Sequence, residues 1–475
     1  MNMMIKLSTT ILCVVSLLGC STMRSDYQQP ELNVPESWSQ VSLQKETAKA
    51  DDQSRTSIPL EQPEKWWTLF GDPELNNLID KVLASNSNLE KATLTLRKAL
   101  LEAGVSENNK VPRLSFSQDS SYEYDIDADS SETRYGARLS LSYELDLWHR
   151  VDALADASEL AARASYEDRE YLAQDLVVTT AMLYWKVGHL NQRLALVKDN
   201  LADSDRIAGL ARLKYENGET TQLEVIESEQ ARFNQQVQLS QLQQELSEAR
   251  NSISILLNQP LQATGVTVEQ LPQQTMPDIA AGLPADLLLR RPDVKASLYK
   301  LQSALASKDA VDASYLPTIT LTGALNTSSS NLLELLQNPV AQLGSGIVLP
   351  FLQWREMKLN KGISEIDYQL AVVDYRDILY LAFEEVDNLL TAKKHYAYQY
   401  SVYEQQYDNA KEIERIYESK YNQGESDIID WLNAMESRRN VESSLLESRY
   451  NQFVVQAQLY QSLGGGDALG KEIIP

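Results

Sequence analysis

The sequence has 475 residues, and its 67 acidic side chains outnumber its 43 lysines and arginines, which gives a formal net charge of −24. This acidic balance argues against nucleic acid as a partner, because nucleic-acid binders present basic surfaces. The 3 histidines lie far apart and the 2 cysteines fall within the first 20 residues, so neither residue type has the spacing of a metal site or a nucleophile–base pair. These spacings therefore predict no metal site, no cofactor and no nucleophilic catalysis.

The chain opens with a leader that resembles that of a bacterial lipoprotein. Residues 11–18 form an apolar run that is too short to span a bilayer as a permanent helix, which is typical of a secretory signal. The run ends in Leu17-Leu18-Gly19-Cys20, which resembles the lipobox whose cysteine becomes the acylated N-terminus. Ser21 then implies sorting to the outer membrane. An ordinary signal peptide is the alternative, but it would favour a cleavage site with small residues.

Residues 20–70 are polar and irregular, with scattered prolines, and are predicted to form a lipidated tether. The tether ends in Trp66-Trp67-Thr68-Leu69-Phe70. Asp72 and Pro73 follow, and they suit the N-cap and the first turn of a helix. Apolar residues then recur at helical spacing. The folded part of the chain is therefore predicted to begin with a helix at about residue 73.

Between residues 112 and 148 the hydrophobic period changes from that of a helix to two. Apolar side chains fall on one face of two strands and polar side chains on the other, with an acidic loop over residues 125–132. The apolar face comprises Leu114, Phe116, Tyr122, Tyr124, Tyr135, Ala137, Leu139, Leu141, Tyr143 and Leu145. A second hairpin with the same alternation is predicted between residues 316 and 354.

Two hairpins supply too few strands to close a membrane barrel, since the smallest barrels have about eight. The hairpins therefore either lie on a soluble core or are pooled by several chains. Aromatic side chains at the strand ends resemble those of a membrane interface and favour pooling. These residues are Tyr122, Tyr124, Trp148 and Trp354. After the leader no apolar run is long enough for a membrane helix, so a crossing of the membrane would need a closed barrel.

The remainder of the chain is predicted to be helical. Residues 149–217 contain no proline, and a helix of that length would be on the order of 100 Å long. Apolar residues step by three and four along several helical stretches, which is the spacing of a coiled-coil seam. Leu190, Leu194, Val197 and Leu201 form one such series. A soluble helical bundle would carry the same seams, so this alternative stays open.

One motif occurs twice and indicates that the chain is a duplicated unit. Residues 214–219 read Lys-Tyr-Glu-Asn-Gly-Glu, and residues 420–425 read Lys-Tyr-Asn-Gln-Gly-Glu, at an offset of 206. Trp148 and Trp354 are separated by the same offset. Gly218 and Gly424 interrupt long helical patterns, and each is predicted to form the turn of a helical hairpin, where a residue with positive φ is needed.

The repeat and the composition changes together predict the domain organisation. The predicted segments are a signal peptide (1–19), a tether (20–70), a first repeat (71–258), a proline-rich connector (259–290), a second repeat (291–463) and a C-terminal tail (464–475). The predicted hairpins lie at about 112–148 in the first repeat and about 316–354 in the second.

Several motifs together resemble the outer-membrane factor family, and more narrowly its TolC-like, NodT-type efflux lipoproteins. They are the lipobox, Trp66-Trp67 with Phe70-Gly71-Asp72-Pro73, the paired Tyr-x-x-Gly motifs, and Gly282-Leu283-Pro284 with Arg290-Arg291-Pro292-Asp293. The resemblance covers nearly all of the mature chain. One departure is His149, which follows Trp148 where the family usually has glycine, so the local bend from strand to helix is in question.

The resemblance implies a fold and a function. The fold is mainly α with a membrane β-barrel: a homotrimer closes one twelve-stranded barrel in the outer membrane, and twelve helical rods continue it as a coiled-coil tunnel through the periplasm. The function is the passive outer-membrane channel of a tripartite efflux pump, with a periplasmic adaptor and an inner-membrane transporter, most often of the resistance-nodulation-division class, as partners. The resemblance implies further that the chain is not an enzyme. A lipid-anchored coiled-coil structural or adhesion protein is the alternative.

The resemblance also implies a gate near the two glycine turns. By the family's motif, the constriction falls at Ile429, Asp430 and Asn433 in the second copy. The first copy places Leu223, Glu224 and Glu227 equivalently. In a trimer each position becomes a ring of three, so apolar rings would narrow the mouth and acidic rings would hold cations. The alternative is that these carboxylates are ordinary solvated residues near a turn.

Overall fold

The structure, a computed structural model, describes residues 24–28, 30, 65–261, 268–273, 276, 290–337, 339–466 and 468–469. Cys20, most of the predicted tether and the Gly282-Leu283-Pro284 motif lie outside these ranges. The described residues are mainly helical and carry one sheet. The predicted class, a duplicated helix–hairpin unit, is therefore confirmed.

The helices and strands alternate in the order that the repeat predicts. The helices are α1 (Pro73–Ser85), α2 (Ser87–Asn108), α3 (Arg150–Glu216), α4 (Gln222–Leu256), α5 (Pro292–Ser314), α6 (Trp354–Gln423) and α7 (Ile428–Ser462). The strands are β1 (Arg113–Asp125), β2 (Ser130–Leu145), β3 (Thr318–Ser329) and β4 (Val340–Val348). No helix within the described ranges is both long and apolar enough to cross a membrane.

The chain divides into two compact units, and each contains parts of both repeats. One comprises residues 1–32, 94–167 and 295–378, and the other comprises residues 33–93, 168–294 and 379–475. The first unit contains the sheet. The second contains both helical turns and the aromatic core around Trp66, whose ring stacks on Tyr460 with centroids 5.0 Å apart.

A side-chain cap fixes the first turn of α1, which lies in the second unit. The Asp72 carboxylate accepts hydrogen bonds from the backbone N–H groups of Glu74 and Leu75, and Pro73 occupies the first turn of α1. This cap satisfies donors that the first turn of a helix leaves without partners. A short 3-10 helix precedes it and buries Trp66, Trp67 and Phe70.

The Arg-Pro-Asp motif has a clear structural role in the second unit. Arg291 is buried and pairs with Asp293 at 2.9 Å and with Glu385 at 2.7 Å. Its guanidinium also donates to the Ser462 carbonyl at 3.1 Å. A buried charge needs such a complete set of partners. Arg291 thereby joins the start of α5 to α6 and to the end of α7.

The four strands form one antiparallel sheet in the order β1-β2-β3-β4. The register pairs Leu114 with Leu141 and Phe116 with Leu139, and then Leu139 with Leu325. The predicted apolar residues of both hairpins therefore share one face of one sheet, and many of them are exposed; Leu343 is 96% exposed.

The other face of the sheet is polar, and its charges are confined to the first hairpin. Ser115 and Ser140 lie opposite each other and share a hydrogen bond of 2.8 Å, and Ser117 lies opposite Arg138. Strands β3 and β4 contain no charged residue. The charged residues of the sheet are Arg113, Asp119, Glu123, Asp125, Glu132, Arg134, Arg138 and Glu144.

The bend from β2 into α3 forms although its position lacks glycine. His149 adopts φ 56°, in the left-handed region that glycine prefers. Asp146 accepts hydrogen bonds from the backbone N–H groups of Val151 and Asp152, and so caps the first turn of α3. The His149 ring lies 3.1 Å from the Asp152 carboxylate. These side-chain contacts hold a backbone conformation that is unfavourable for a residue with a Cβ atom.

Each helical hairpin turns at the glycine of the repeated motif. Gly218 has φ 75° and Gly424 has φ 74°. In the first turn the N–H of Glu219 donates to the Lys214 carbonyl at 2.9 Å and that of Gly218 donates to the Tyr215 carbonyl at 2.9 Å. Glu425 and Gly424 make the equivalent bonds in the second turn. Both helices therefore end in a Schellman motif, which requires a left-handed residue.

We expect Gly218→Ala to destabilise the protein, because a Cβ atom in the left-handed region costs about 1–2 kcal/mol. Gly209→Ala is the matched control, since Gly209 lies inside α3 with open space around it and alanine favours a helix by roughly 0.5–1 kcal/mol. Thermal unfolding followed by circular dichroism should show a lower midpoint for Gly218→Ala and an equal or higher one for Gly209→Ala. Equal midpoints would contradict this account of the turn.

Candidate functional site

The structure places the candidate gate residues at the starts of the two helices that follow the glycine turns. Leu223, Glu224 and Glu227 lie in the first two turns of α4, and Ile429, Asp430 and Asn433 lie in the first two turns of α7. Leu223, Ile429, Asp430 and Asn433 are exposed, while Glu224 and Glu227 are partly buried. The two sets thus occupy equivalent positions in the two copies.

The polar side chains of these sets are free to interact with solvent or with a partner. Within the described ranges, no hydrogen bond or ion pair involves the side chains of Glu224, Glu227, Asp430 or Asn433. Glu224 and Asp430 lie in the first turn of their helices, where the helix dipole favours a negative charge. An acidic side chain therefore suits both positions.

A small hydrophobic cluster supports the second turn. Its buried members are Ile207 and Ala211 of α3, Tyr421 of α6, and Ile428, Trp431 and Met435 of α7. The Tyr421 and Trp431 rings pack with centroids 5.4 Å apart. The Lys214 ammonium lies over the Tyr421 ring at 4.1 Å, within the range of a cation–π interaction. A lysine of the first motif copy thus contacts the tyrosine of the second copy.

The two copies of the motif are not equivalent in the fold. Tyr421 is 4% exposed, whereas its counterpart Tyr215 is 46% exposed. Trp431 fills the space beside Tyr421, while the first copy has Val225 at the matching position. A tryptophan in place of a valine is the sequence signal that could have indicated this difference. The second turn is consequently built on a core and the first is more open.

Two adjacent arginines of α7 fasten it to α3 and α6. Arg438 pairs with Glu414 of α6, and its Nη2 donates to the Asn200 side chain at 3.3 Å. Arg439 is buried and donates to the Asn200 carbonyl at 3.1 Å and to the Ser204 hydroxyl at 3.3 Å. No spacing in the sequence indicates these contacts.

The electrostatic environments of the two guanidiniums differ. Burial lowers the pKa of Arg439, and the positive charge of Arg438 lowers it further. For Arg438, burial also acts to lower the pKa, but Glu414 and Glu442 more than offset it, so that the pKa is raised. Arg438 therefore sits in a charge-compensated network, whereas Arg439 relies on neutral acceptors.

Of the four aromatic residues predicted to lie at a membrane interface, three are exposed and one is partly buried. Tyr122, Tyr124 and Trp354 are exposed, and the Tyr124 hydroxyl contacts Asp129. Trp148 is partly buried, and its indole N–H donates to the Pro317 carbonyl at 2.8 Å. Trp148 thus ties the segment after β2 to the segment before β3.

One group of side chains has the composition of a metal site but does not fit one. Ligand atoms of Asp146, His149 and Asp152 lie within 4.8 Å of one another. Both Asp146 oxygens accept backbone N–H groups of α3, and the Lys110 ammonium lies 3.4 Å from Asp152. The carboxylates are therefore occupied by a helix cap and an ion pair, which explains the cluster without a cation.

A family model and individual known proteins indicate the same family for this chain. The family model described as "Outer membrane efflux protein" matches residues 78–259 and 283–465, one segment in each copy of the duplicated unit. The chain is 28% identical to the toxin and drug export protein A of Aggregatibacter actinomycetemcomitans over 97% of this chain and 98% of that protein. It is 26% identical to the probable outer membrane lipoprotein SilC of Salmonella typhimurium over 96% of this chain and 98% of that protein.

The fold is also similar to that of solved channels. The open state of the Neisseria gonorrhoeae MtrE outer membrane channel superposes with a TM-score of 0.80 at 25% identity, covering 94% of this chain and 98% of that one. The similarity extends over both units and both repeats.

We expect two adjacent isoleucines at the second turn to behave differently. Ile428 is fully buried at 0% exposure, and Ile428→Ala should lower the free energy of unfolding by roughly 2–5 kcal/mol. Ile429 is 39% exposed, and Ile429→Ala should lower it by less than about 1 kcal/mol. Denaturant unfolding and amide hydrogen exchange at residues 424–432 measure the difference. A larger loss for Ile429→Ala would place the buried face of α7 elsewhere.

Proposed function

The chain belongs to the outer membrane efflux protein family, whose members are channel components of the outer membrane, and from this premise we propose that it is the passive exit duct of a tripartite pump. A periplasmic adaptor and an inner-membrane transporter, most often of the resistance-nodulation-division class, are the partners. The duct itself catalyses no reaction. The names of the relatives support drugs, toxins or other small molecules as cargo.

The sheet is the observation that carries this proposal. Its apolar face is exposed, its other face is polar, and no further strand of the described ranges pairs with the outer edges of β1 and β4. Open edges and an exposed apolar face are costly in water, and a closed barrel in lipid removes both costs. Three copies would supply twelve strands, which is within the range of membrane barrels. The apolar face then contacts lipid and the polar face lines the lumen.

Exposed apolar stripes on two helices support the same assembly. On α6 the exposed residues Leu359, Ile363, Ile366, Leu370 and Val373 step alternately by four and three. On α4 the exposed residues Leu223, Ile226, Phe233 and Val237 share one face. Stripes with this spacing are typical of helix–helix interfaces, and helices of neighbouring copies in a trimer would cover them.

We further propose that the first turns of α4 and α7 form the gate of the duct. Ile429 and Leu223 present exposed apolar groups, while the carboxylates of Asp430, Glu224 and Glu227 have no hydrogen-bond or ion-pair partner among the described residues. Rings of such residues narrow a pore and attract cations. Asn433 contributes a neutral ring. The hydrophobic cluster that contains Ile428 supports the α7 part of this gate.

Lipid attachment at Cys20 completes the proposal. The motif Leu17-Leu18-Gly19-Cys20 and the lipoprotein relative SilC support it. Palmitate labelling of cells should mark the wild-type protein and leave Cys20→Ala unmarked. Two or more acyl chains give stable membrane attachment, whereas one gives only marginal binding. Equal labelling of both proteins would exclude this site.

The gate proposal predicts that Ile429→Ala combined with Asp430→Ala widens the channel. We expect a higher single-channel conductance in planar bilayers and a smaller preference for cations, because an apolar ring and an acidic ring are both removed. Glu418→Ala is the control, since it removes an exposed carboxylate of α6 before the turn. An unchanged conductance and reversal potential in the double variant would place the constriction elsewhere.

The barrel proposal predicts opposite results for two neighbouring residues of β2. Leu141 lies on the apolar face, where arginine costs roughly 2–4 kcal/mol near the bilayer midplane, and Ser142 lies on the polar face, where the cost is small. Leu141→Arg should therefore reduce the yield of heat-modifiable trimer in outer membranes, and Ser142→Arg should not. The reverse order would mean that the two faces of the sheet are exchanged.

A further inference from the structure

The turn that joins β3 to β4 contains a short segment rich in leucine. Residues 332–336 read Leu-Leu-Glu-Leu-Leu, and the segment begins with a 3-10 helix over Leu332–Glu334. We refer to residues 331–337 as the leucine loop. Leu333 is 91% exposed, and Leu332 and Leu336 are exposed as well. Turns in water are ordinarily built from polar residues, so clustered exposed leucines mark this loop as a contact surface.

A hydrogen bond holds the leucine loop on the apolar side of the sheet. Leu325 of β3 lies opposite Leu139, and Thr327 lies opposite Ala137. Alternate residues of a strand share a face, so the Thr327 side chain lies on the apolar face with these residues. Its hydroxyl donates to the Leu335 carbonyl. The loop is therefore fastened to the apolar side of the sheet and does not fold across the polar face.

Further hydrogen bonds satisfy several backbone donors of the leucine loop. The Ser329 hydroxyl accepts the N–H of Asn331 at 3.0 Å, and the Asn331 side chain accepts that of Leu333 at 3.2 Å. The N–H of Glu334 donates to the Asn331 carbonyl at 3.1 Å, and that of Gln337 donates to the Glu334 carbonyl at 3.0 Å. A lipid medium offers no water to such donors, so a segment that enters it must supply its own acceptors. The loop has this property.

The length of β3 places the leucine loop at the external edge of the membrane in the proposed barrel. β3 has 12 residues, which span about 40 Å at roughly 3.3 Å per residue. Strands of outer-membrane barrels tilt by about 40°, so β3 would rise about 30 Å, slightly more than the apolar band of about 25 Å. In the proposed assembly the helices extend into the periplasm, so the loop lies at the opposite side of the membrane.

The turn of the first hairpin differs from the leucine loop in both height and charge. Tyr135 lies opposite Ser329 near the end of β3, but β2 begins earlier, at Ser130. The extra length carries the first turn about 17 Å beyond the leucine loop, at roughly 3.3 Å per residue. The acidic residues at this turn are Asp125, Asp127, Asp129 and Glu132. The leucine loop has Glu334 as its one charged residue. The first turn suits water, and the second suits an apolar surrounding.

We propose that the leucine loop is a lipid-binding element whose leucine side chains insert among the acyl chains of the outer leaflet. The inference rests on the proposed function, because the loop continues the apolar face that contacts lipid in the barrel. Transfer of exposed leucine side chains from water to acyl chains is favourable. Three such loops in a trimer hold the external rim of the barrel in the membrane, at the side opposite to the helices.

Spin labels on single introduced cysteines test this contact in the full-length trimer, reconstituted in vesicles of phosphatidylethanolamine and phosphatidylglycerol. Electron paramagnetic resonance compares how often the label meets oxygen, which concentrates in lipid, and a nickel complex, which stays in water. For Leu333→Cys we expect an oxygen-to-nickel ratio at least about threefold that of Ile126→Cys, because apolar interfacial segments sink about 5–10 Å into the lipid. Ile126 is the matched control, since it is 84% exposed in the turn of the first hairpin. Protein without an introduced cysteine gives the background.

A third label separates this inference from the barrel proposal. Leu343→Cys places the label on the apolar face of β4. A high ratio at Leu343, together with a ratio at Leu333 no higher than that at Ile126, would overturn the lipid contact of the loop and retain the barrel. Low ratios at all three positions would overturn the barrel and this inference with it.

Single-channel conductance gives an independent check on the direction of the loop. Leu333→Ser combined with Leu336→Ser should leave the conductance unchanged, because side chains on the apolar side of the sheet lie outside the lumen. An increased conductance would mean that the three loops close the external mouth of the channel, and would overturn the inference.

Discussion

The open edges of the sheet are the constraint on which the rest of the structure depends. The part of the chain that the structure describes supplies four strands, and within it β1 and β4 each pair on one side only. Such edges invite pairing with further strands, and the exposed apolar face makes water an unfavourable surrounding. In the proposed assembly, association of copies would pair the edges and burial in lipid would cover the apolar face. The exposed seams of α4 and α6 are consistent with this, since helices that continue pooled strands must also meet their neighbours.

The repeated turn motif shows how duplication and divergence combine. Both glycines adopt the same left-handed conformation and both helices end in the same hydrogen-bond pattern. The copies differ in what lies beneath the turn, because Trp431 and the buried Tyr421 build a core where the first copy has Val225 and an exposed tyrosine. Lys214 then joins the copies through its cation–π contact. The backbone has kept its symmetry, while the side chains pack differently beneath the two turns.

Local patterns in the sequence predicted the helices and strands, but they could not predict contacts between residues far apart in the chain. Asp72 and Pro73 mark the start of α1, and the period of two marks β1 and β2, because each depends on neighbouring residues alone. The contacts of Arg439 with Asn200 depend on how two distant helices pack, and no spacing encodes them. At His149 a local pattern was misleading instead. A residue with a Cβ atom disfavours the left-handed conformation, but contacts with the carboxylates of Asp146 and Asp152 hold the bend. The roles proposed for the gate residues come from the family resemblance, and the structure adds that four of the six are exposed and that the polar side chains have no partner among the described residues.

The confinement of charge to the first hairpin has a consequence for what can pass through a pooled barrel. In a ring of three copies, the lining would alternate between the charged strands β1 and β2 and the uncharged strands β3 and β4. The polar face of β3 and β4 carries mainly small residues such as threonine and glycine. A solute would meet no continuous band of one sign at any height, so neither anions nor cations would be held along the whole circumference. Such a striped wall suits the passage of chemically diverse molecules, because a binding site that is strong for one of them would slow its release.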